Sequence, residues 1–218
     1  METQEKDKSE TRESLHTFSP SNHSNLRNFV SSKAQQLQAN YLKQNPKAKA
    51  KLAALRKSIN KPVGSDPKTW QIVFEDFPEN LIGKSDEPNR WELAAHTALA
   101  LFSLHMQSAK SACHVSRVGL GQAIRKLIDA GSRDDQDSPV MRRFHALGTA
   151  STFAEITYHA RGLIQLMRAK DIPLDYGMLA QDFADLQVAA RQNSVRLRWA
   201  RQLYKFNRPE EKQENEEK

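Results

Sequence analysis

The sequence predicts an all-α fold. Three observations carry that expectation. Apolar residues recur at spacings of three and four over most of the chain. Alternating β-branched runs and Asn-Gly turns, the signatures of strands and hairpins, are missing. Caps and prolines stand where helices should begin.

About eight helices follow from that pattern. The first is expected over residues 25–44, ahead of Pro46. The second starts at Pro46 or Lys47 and ends before Pro62, with Ala48, Leu52, Leu55 and Ile59 on one face. A Gly-Ser-Asp-Pro turn then leads into a short helix over 67–77, where Asp66 reads as N-cap and Pro67 as first residue. Residues 78–90 are rich in Pro, Gly, Asn and Asp and read as a loop. The next helix, about 88–108, is apolar nearly all round (Trp91, Leu93, Ala95, Leu99, Leu101, Phe102, Leu104, Met106), so it should be central and buried. Shorter helices are expected near 120–129 and from Pro139 to about residue 147. A longer one covers 153–170 and stops before Pro173. The last should run unbroken from Asp175, its N-cap, to about residue 206.

The ends differ from the body. Residues 1–14 hold no apolar residue but Met1, and residues 208–218 hold none. Segments this polar cannot bury enough surface to offset the entropy of ordering. The expected organisation is a disordered acidic tail over 1–24 and an N-terminal helical subdomain over 25–130. A polar linker over 131–138 (GSRDDQDS) joins it to a C-terminal helical subdomain over 139–207, and a second acidic tail covers 208–218. The whole chain of 218 residues carries +7. The two polar ends hold six of its 33 basic and ten of its 26 acidic residues, which leaves the body with 27 and 16, or +11. A basic body favours a polyanionic partner, nucleic acid or an anionic surface.

Other classes find little support. One cysteine, Cys113, allows neither an intrachain disulfide nor a cysteine metal cluster and suits a reducing cytosol. No apolar run near the start suggests a secretory signal. The longest apolar stretch, 93–106, contains His96, Ser103 and His105 and is too short and polar to span a bilayer. The seven histidines show no His-x3-His or HExxH spacing. Asp182 and Asp185 with Glu155 could share a metal, but charged positions on an amphipathic helix explain them better. Gly119-Leu120-Gly121 lacks the preceding strand and third glycine of a dinucleotide site. Cys113 and His114 are chain neighbours, whose side chains rarely meet as nucleophile and base. No cofactor or metal is expected, and no catalysis.

The basic residues concentrate on two helices. On the last, Arg191, Arg198, Arg201 and Lys205 fall within about 80° of arc and spread over roughly 21 Å. Leu179, Phe183, Leu186, Ala190 and Leu197 form its expected core row, Arg196 projects elsewhere, and Trp199 can pack or stack on a base. No acid stands between Asp185 and Glu210, and up to Lys205 the stretch carries five bases. Guanidiniums offer planar, bidentate donors to phosphate. The second helix repeats the pattern with Lys47, Lys49, Lys51, Arg56, Lys57 and Lys61, again without an acid from Pro46 to Ser65. Arg125-Lys126 and Arg142-Arg143 add two pairs. Such a distributed surface reads backbone charge, not base sequence. A solvated helix face remains the alternative for each helix.

Several runs together resemble the CasB family, the small subunits of the type I-E CRISPR surveillance complex, Cascade. They begin with Leu52-Ala53-Ala54-Leu55-Arg56-Lys57 and the 67–77 segment with Trp70. They continue through Ala98-Leu99-Ala100-Leu101-Phe102-Ser103-Leu104-His105, Val118-Gly119-Leu120-Gly121-Gln122-Ala123-Ile124-Arg125-Lys126-Leu127 and Met141-Arg142-Arg143-Phe144. They close with Ile172-Pro173-Leu174-Asp175-Tyr176-Gly177-Met178-Leu179 and Val195-Arg196-Leu197-Arg198-Trp199-Ala200-Arg201. The resemblance spans about residues 46–206. It departs at Gln122, where the family often has a basic residue, and in the length of residues 1–45.

The resemblance implies a two-part, all-α, non-catalytic cytoplasmic protein. Two copies would pack head to tail beside other Cascade subunits. They would help hold the guide RNA–target DNA duplex and stabilise the displaced strand. Matching the family's basic positions singles out Arg56, Arg125, Lys126, Arg142, Arg143, Arg196, Arg198 and Arg201; charge alone adds Lys57, Arg191 and Lys205. Without the resemblance, a free-standing helical DNA-binding regulator and a helical scaffold for acidic proteins stay open. The regulator would need a recognition helix with polar base-reading residues at its start, and none stands out.

Overall fold

A computed structural model describes residues 20–130 and 138–204. Nine α-helices fill them: α1 (Pro20–Leu42), α2 (Pro46–Lys57), α3 (Pro67–Phe74), α4 (Arg90–His105), α5 (Leu120–Asp129), α6 (Pro139–Thr149), α7 (Phe153–Ala169), α8 (Tyr176–Leu186) and α9 (Ala189–Tyr204). A 3-10 turn, Glu79–Leu81, lies between α3 and α4. The described residues contain no strand, only one isolated bridge between His114 and Leu174. Residues 1–19 of the N-terminal tail expected over 1–24, the tail expected over 208–218, the loop residues 131–137 and residues 205–207, Lys205 among them, lie outside the described residues.

Helix starts follow local chemistry. Asn45 Oδ1 accepts from the Lys47 and Ala48 amides ahead of Pro46, and Asp66 caps α3 in the same way. Asn89 and Glu92 form a reciprocal capping box at α4, as do Thr152 and Glu155 at α7. Ser138 caps α6 and Asp175 caps α8. Helix α1 begins at Pro20, earlier than the expected residue 25, so residues 20–24 are helical and do not belong to the tail. A proline is well placed at a first helical turn, where its missing N–H is not needed. Helix α3 stops at Phe74, short of the expected residue 77: Glu75 is extended and Asp76 takes φ 60°.

Helix α4 is the central element. Residues 94–106 are all buried, as its all-round apolar character predicts. It packs against α1, α2, α3, α7 and α8. Helix α8 also lies along α1, while α9 lies along α5 and α8, and α5 touches α6 and α7. Packing partners therefore do not follow chain order: α5 precedes residue 131 yet meets α6, α7 and α9, and α8 follows it yet meets α1 and α4. One hydrophobic cluster joins them, from Leu26 and Val30 on α1 through Leu99 and Phe102 to Val195 and Trp199 on α9.

Two glycines permit the closest helix approaches. A Cβ on Gly177 would stand 2.5 Å from the Arg27 carbonyl oxygen, so α8 meets α1 backbone to side. A Cβ on Gly121 would fall against the Trp199 carbonyl oxygen and 2.9 Å from the Leu203 amide, which brings α5 onto α9.

The expected single final helix is two helices. Helix α8 ends at Leu186 and α9 restarts at Ala189. The Val188 amide turns back to the Asp185 carbonyl (3.0 Å), and Gln187 Nε2 donates to the carbonyls of Arg90 (3.1 Å) and Phe183 (3.0 Å). The break resets the helical phase. Leu197, expected in the core row, is 50% exposed, and Ala190 is exposed too. Val195, Trp199 and Leu203, four apart, face the core instead.

Candidate nucleic-acid interface

The reset phase decides what the arginines of α9 do. Arg191 Nη1 donates to Asp185 Oδ1 (2.8 Å), whose oxygen also meets His23 Nε2 (2.7 Å). These two partners hold the Asp185 carboxyl below its ordinary range, against the opposing effect of burial. Arg198 donates to Asp182 Oδ1, and Trp199 Nε1 donates to Asp182 Oδ2 (2.6 Å). Burial pushes Asp182 up, and the two donors oppose that. Arg196 reaches the Ala150 carbonyl (3.2 Å) and leaves its buried Nε unpartnered. Trp199 is 1% exposed and packs beside Phe144, so its ring is not available for stacking on a base. Arg201 is exposed and has no ion pair among the described residues.

The other sequence-predicted positions divide similarly. Arg56 Nη1 donates to the Ser103 carbonyl near the end of α4 (3.0 Å), and burial lowers its pKa from the ordinary value. Arg125 pairs with Asp129 one turn on (3.0 Å). Lys57 and Lys126 are exposed.

Arg142 and Arg143 stand on the exposed face of α6 and line a cavity of about 620 Å³ between α6 and α7. The α7 wall contributes Tyr158, His159, Arg161, Gly162 and Gln165. The Arg143 side chain lies over Gly162, where a Cβ would stand 3.7 Å from Arg143 Cδ. None of the described residues lining this groove is acidic. Arg143 and Arg161 line the cavity and have no ion-pair partner among the described residues. Sequence reading missed Tyr158 and Arg161. Their spacing of three on a helix starting at Phe153 is the signal that finds them, because such residues share a face.

Titratable groups outside the basic surface are bound into the fold. Glu155 accepts from the Ser151 and Thr152 amides at the start of α7, which lowers its pKa. Asp175 takes the Met178 amide (3.0 Å), the Arg117 amide (2.8 Å) and Arg27 Nη2 (3.1 Å). Cys113 is buried, which raises its thiol well above the ordinary range and keeps it protonated. His105 Nδ1 meets the Tyr176 hydroxyl (2.8 Å), and His114 Nδ1 accepts the Tyr176 amide (3.1 Å). Among the described residues no three His, Cys, Asp or Glu side chains group as metal ligands. No helix among them is long and apolar enough to cross a membrane.

Fold and groove together define an all-helical protein whose described groove residues gather arginines without an acid. The family model of the CRISPR-associated protein Cse2 matches residues 51–204. The chain is similar to CasB from Thermobifida fusca, with 30% identity and a TM-score of 0.70 over 82% of this chain and 97% of that one. A Cse2-family CRISPR-associated protein from Thermus thermophilus shares the fold at 23% identity and TM-score 0.60, covering 82% and 97%. CasB from M. ruber does so at 22% and 0.54, covering 79% and 93%. The 82% share exceeds residues 51–204, so the likeness reaches beyond the family match. No curated protein sequence matches. The chain belongs to the Cse2 (CasB) family of CRISPR-associated proteins.

Proposed function

We propose that this protein is a non-catalytic, nucleic-acid-binding small subunit of a type I-E Cascade complex. It acts in the cytoplasm beside the other Cascade subunits and a second copy of itself. Its task is to stabilise guide RNA–target DNA pairing and the displaced strand through backbone contacts that do not read sequence. The observation that carries this reading is the groove between α6 and α7, where Arg142, Arg143 and Arg161 gather with no acid among the described lining residues. Family membership supplies the RNA-guided setting. Exchange of a DNA duplex for an RNA–DNA duplex is nearly balanced in base-pair energy. A few phosphate contacts are then enough to tip it.

Arg143, Arg161, Arg201, Lys57 and Lys126 are the phosphate contacts this reading favours, with Arg142 beside them. Arg56, Arg125, Arg196, Arg191 and Arg198 keep a positive charge but are also tied to the protein's own carbonyls and carboxylates. The test is co-expression with the remaining complex subunits and a guide RNA. The chain is expected to elute with an RNA-containing assembly, and Arg143→Ala with Arg161→Ala is expected to weaken target DNA capture equally for unrelated targets. A chain that elutes free of RNA and of other subunits contradicts the assignment. A discrete protected operator on genomic DNA would favour a free-standing regulator instead.

A further inference from the structure

We infer that Tyr158 is a stacking platform for an unpaired nucleobase, with Arg161 and Arg168 holding the phosphates that follow it along α7. This rests on the nucleic-acid reading of the groove and adds a strand class, a direction and residues to it.

Tyr158 is 74% exposed, and its one ring contact among the described residues is a T-shaped one with His159 (5.2 Å). It contributes almost nothing to the core, yet it lines the same cavity as Arg142, Arg143 and Arg161. At about 620 Å³ that cavity lies within the roughly 300–1,000 Å³ of ligand sites. An aromatic face beside guanidiniums suits single-stranded nucleic acid. A paired base keeps its faces stacked within the duplex, whereas an unpaired base offers one to the tyrosine.

Direction follows from the charges along α7. Arg161 and Arg168 are seven residues apart, so they share a side of the helix about 10 Å from each other. Arg168 gives one N–H to Gln107 Oε1 (2.9 Å), a neutral acceptor, and has no ion pair among the described residues, with Asp171 lining the same small pocket. The field of Arg168 also reaches Arg56 on α2 and helps lower its pKa. Helix α7 carries no acid after Glu155, and the next is Asp171 beyond its end. Glu155, held ionised at the start of α7 by two amides, repels phosphate there. A strand whose base sits on Tyr158 therefore runs toward Arg161 and Arg168, and on toward Arg56.

The test measures binding of the full chain to a thymidine oligonucleotide of about 15 nucleotides and to a duplex of the same length, at low salt. Tyr158→Ala is expected to weaken the single strand about 5- to 100-fold while changing the duplex far less. Tyr158→Phe, which keeps the ring, is expected to restore the single-strand affinity. Arg168→Gln is expected to weaken the single strand and to flatten its salt dependence. Equal single-strand affinity in Tyr158→Ala and wild type overturns the platform. So does an equal loss on both substrates. Arg143→Ala separates the two claims: if it weakens both substrates while Tyr158→Ala weakens neither, the groove stands and the platform falls. A wild-type chain that binds neither substrate removes both.

Discussion

Trp199 donates its indole N–H to the buried carboxylate of Asp182 at 2.6 Å, joining α9 to α8 through a polar contact inside the core. The second carboxylate oxygen takes Arg198. Removing one partner of a buried, hydrogen-bonded charge leaves the others unsatisfied. Asp182→Ala is expected to lower unfolding free energy by about 2–3 kcal/mol, part of the usual cost being relieved because Arg198 is partly exposed. Urea unfolding monitored by tryptophan fluorescence checks it. A change below about 0.5 kcal/mol, the ordinary effect of a surface substitution, would contradict the role.

The same geometry separates the arginines of α9. Arg198→Ala is expected to act on stability, because it strips a buried carboxylate of its ion pair. Arg201→Ala is expected to change stability by no more than about 0.5 kcal/mol and to weaken nucleic-acid binding. Parallel unfolding and binding curves for the two variants read this directly. Matching effects on both curves would return α9 to a uniform binding stripe.

This division was not legible in the sequence. Counting charges along the chain finds no acid between Asp185 and Glu210, yet Asp182 and Asp185 reach across from α8 to Arg198 and Arg191. They do so because the chain breaks at Gln187 and Val188, where neither proline nor glycine announces a stop. The helix phase extrapolated through that point put Leu197 inward and left Trp199 free either to pack or to stack. Elements marked by apolar periodicity were read well: α5 runs Leu120–Asp129 as expected, and α4 is the buried centre. The pair Arg142-Arg143 was visible as a local cluster. Its partners Tyr158 and Arg161 lie on the next helix, so the groove exists only in the folded chain.

Close helix contact predicts a packing effect. Gly177→Ala would drive a methyl group into the Arg27 carbonyl and Ser31 on α1. Overpacking of this kind costs about 1–3 kcal/mol. For a chain of this size each kcal/mol lowers the melting temperature by about 2–4 °C. A thermal melt within about 1 °C of wild type would show that α1 moves aside freely.

Two buried histidines predict acid sensitivity. His96 Nε2 meets the Ser58 hydroxyl (3.0 Å), which itself donates to the Leu55 carbonyl, so His96 is the donor to Ser58. Burial depresses His96 and His105 to about 4, with Arg168 adding to the effect at His105. The unfolded chain binds these protons near 6.5 and the folded chain does not. Their stabilising contribution is therefore complete above pH 6.5 and declines as pH falls toward 4. Urea midpoints should drop between about pH 6.5 and 4.5, and less steeply in His96→Gln. A flat profile over that window would contradict neutral, buried imidazoles.

The central claim is that the protein holds nucleic acid through phosphate charge. The most direct measurement is the affinity of the full chain for a single-stranded oligonucleotide as salt is varied. Neutralising about six phosphates on a single strand predicts a log–log slope near about −4, and replacing Arg143, Arg161 and Arg201 with alanine should flatten it for every sequence alike. A slope near zero, or no retention of the strand at low salt, would contradict the account.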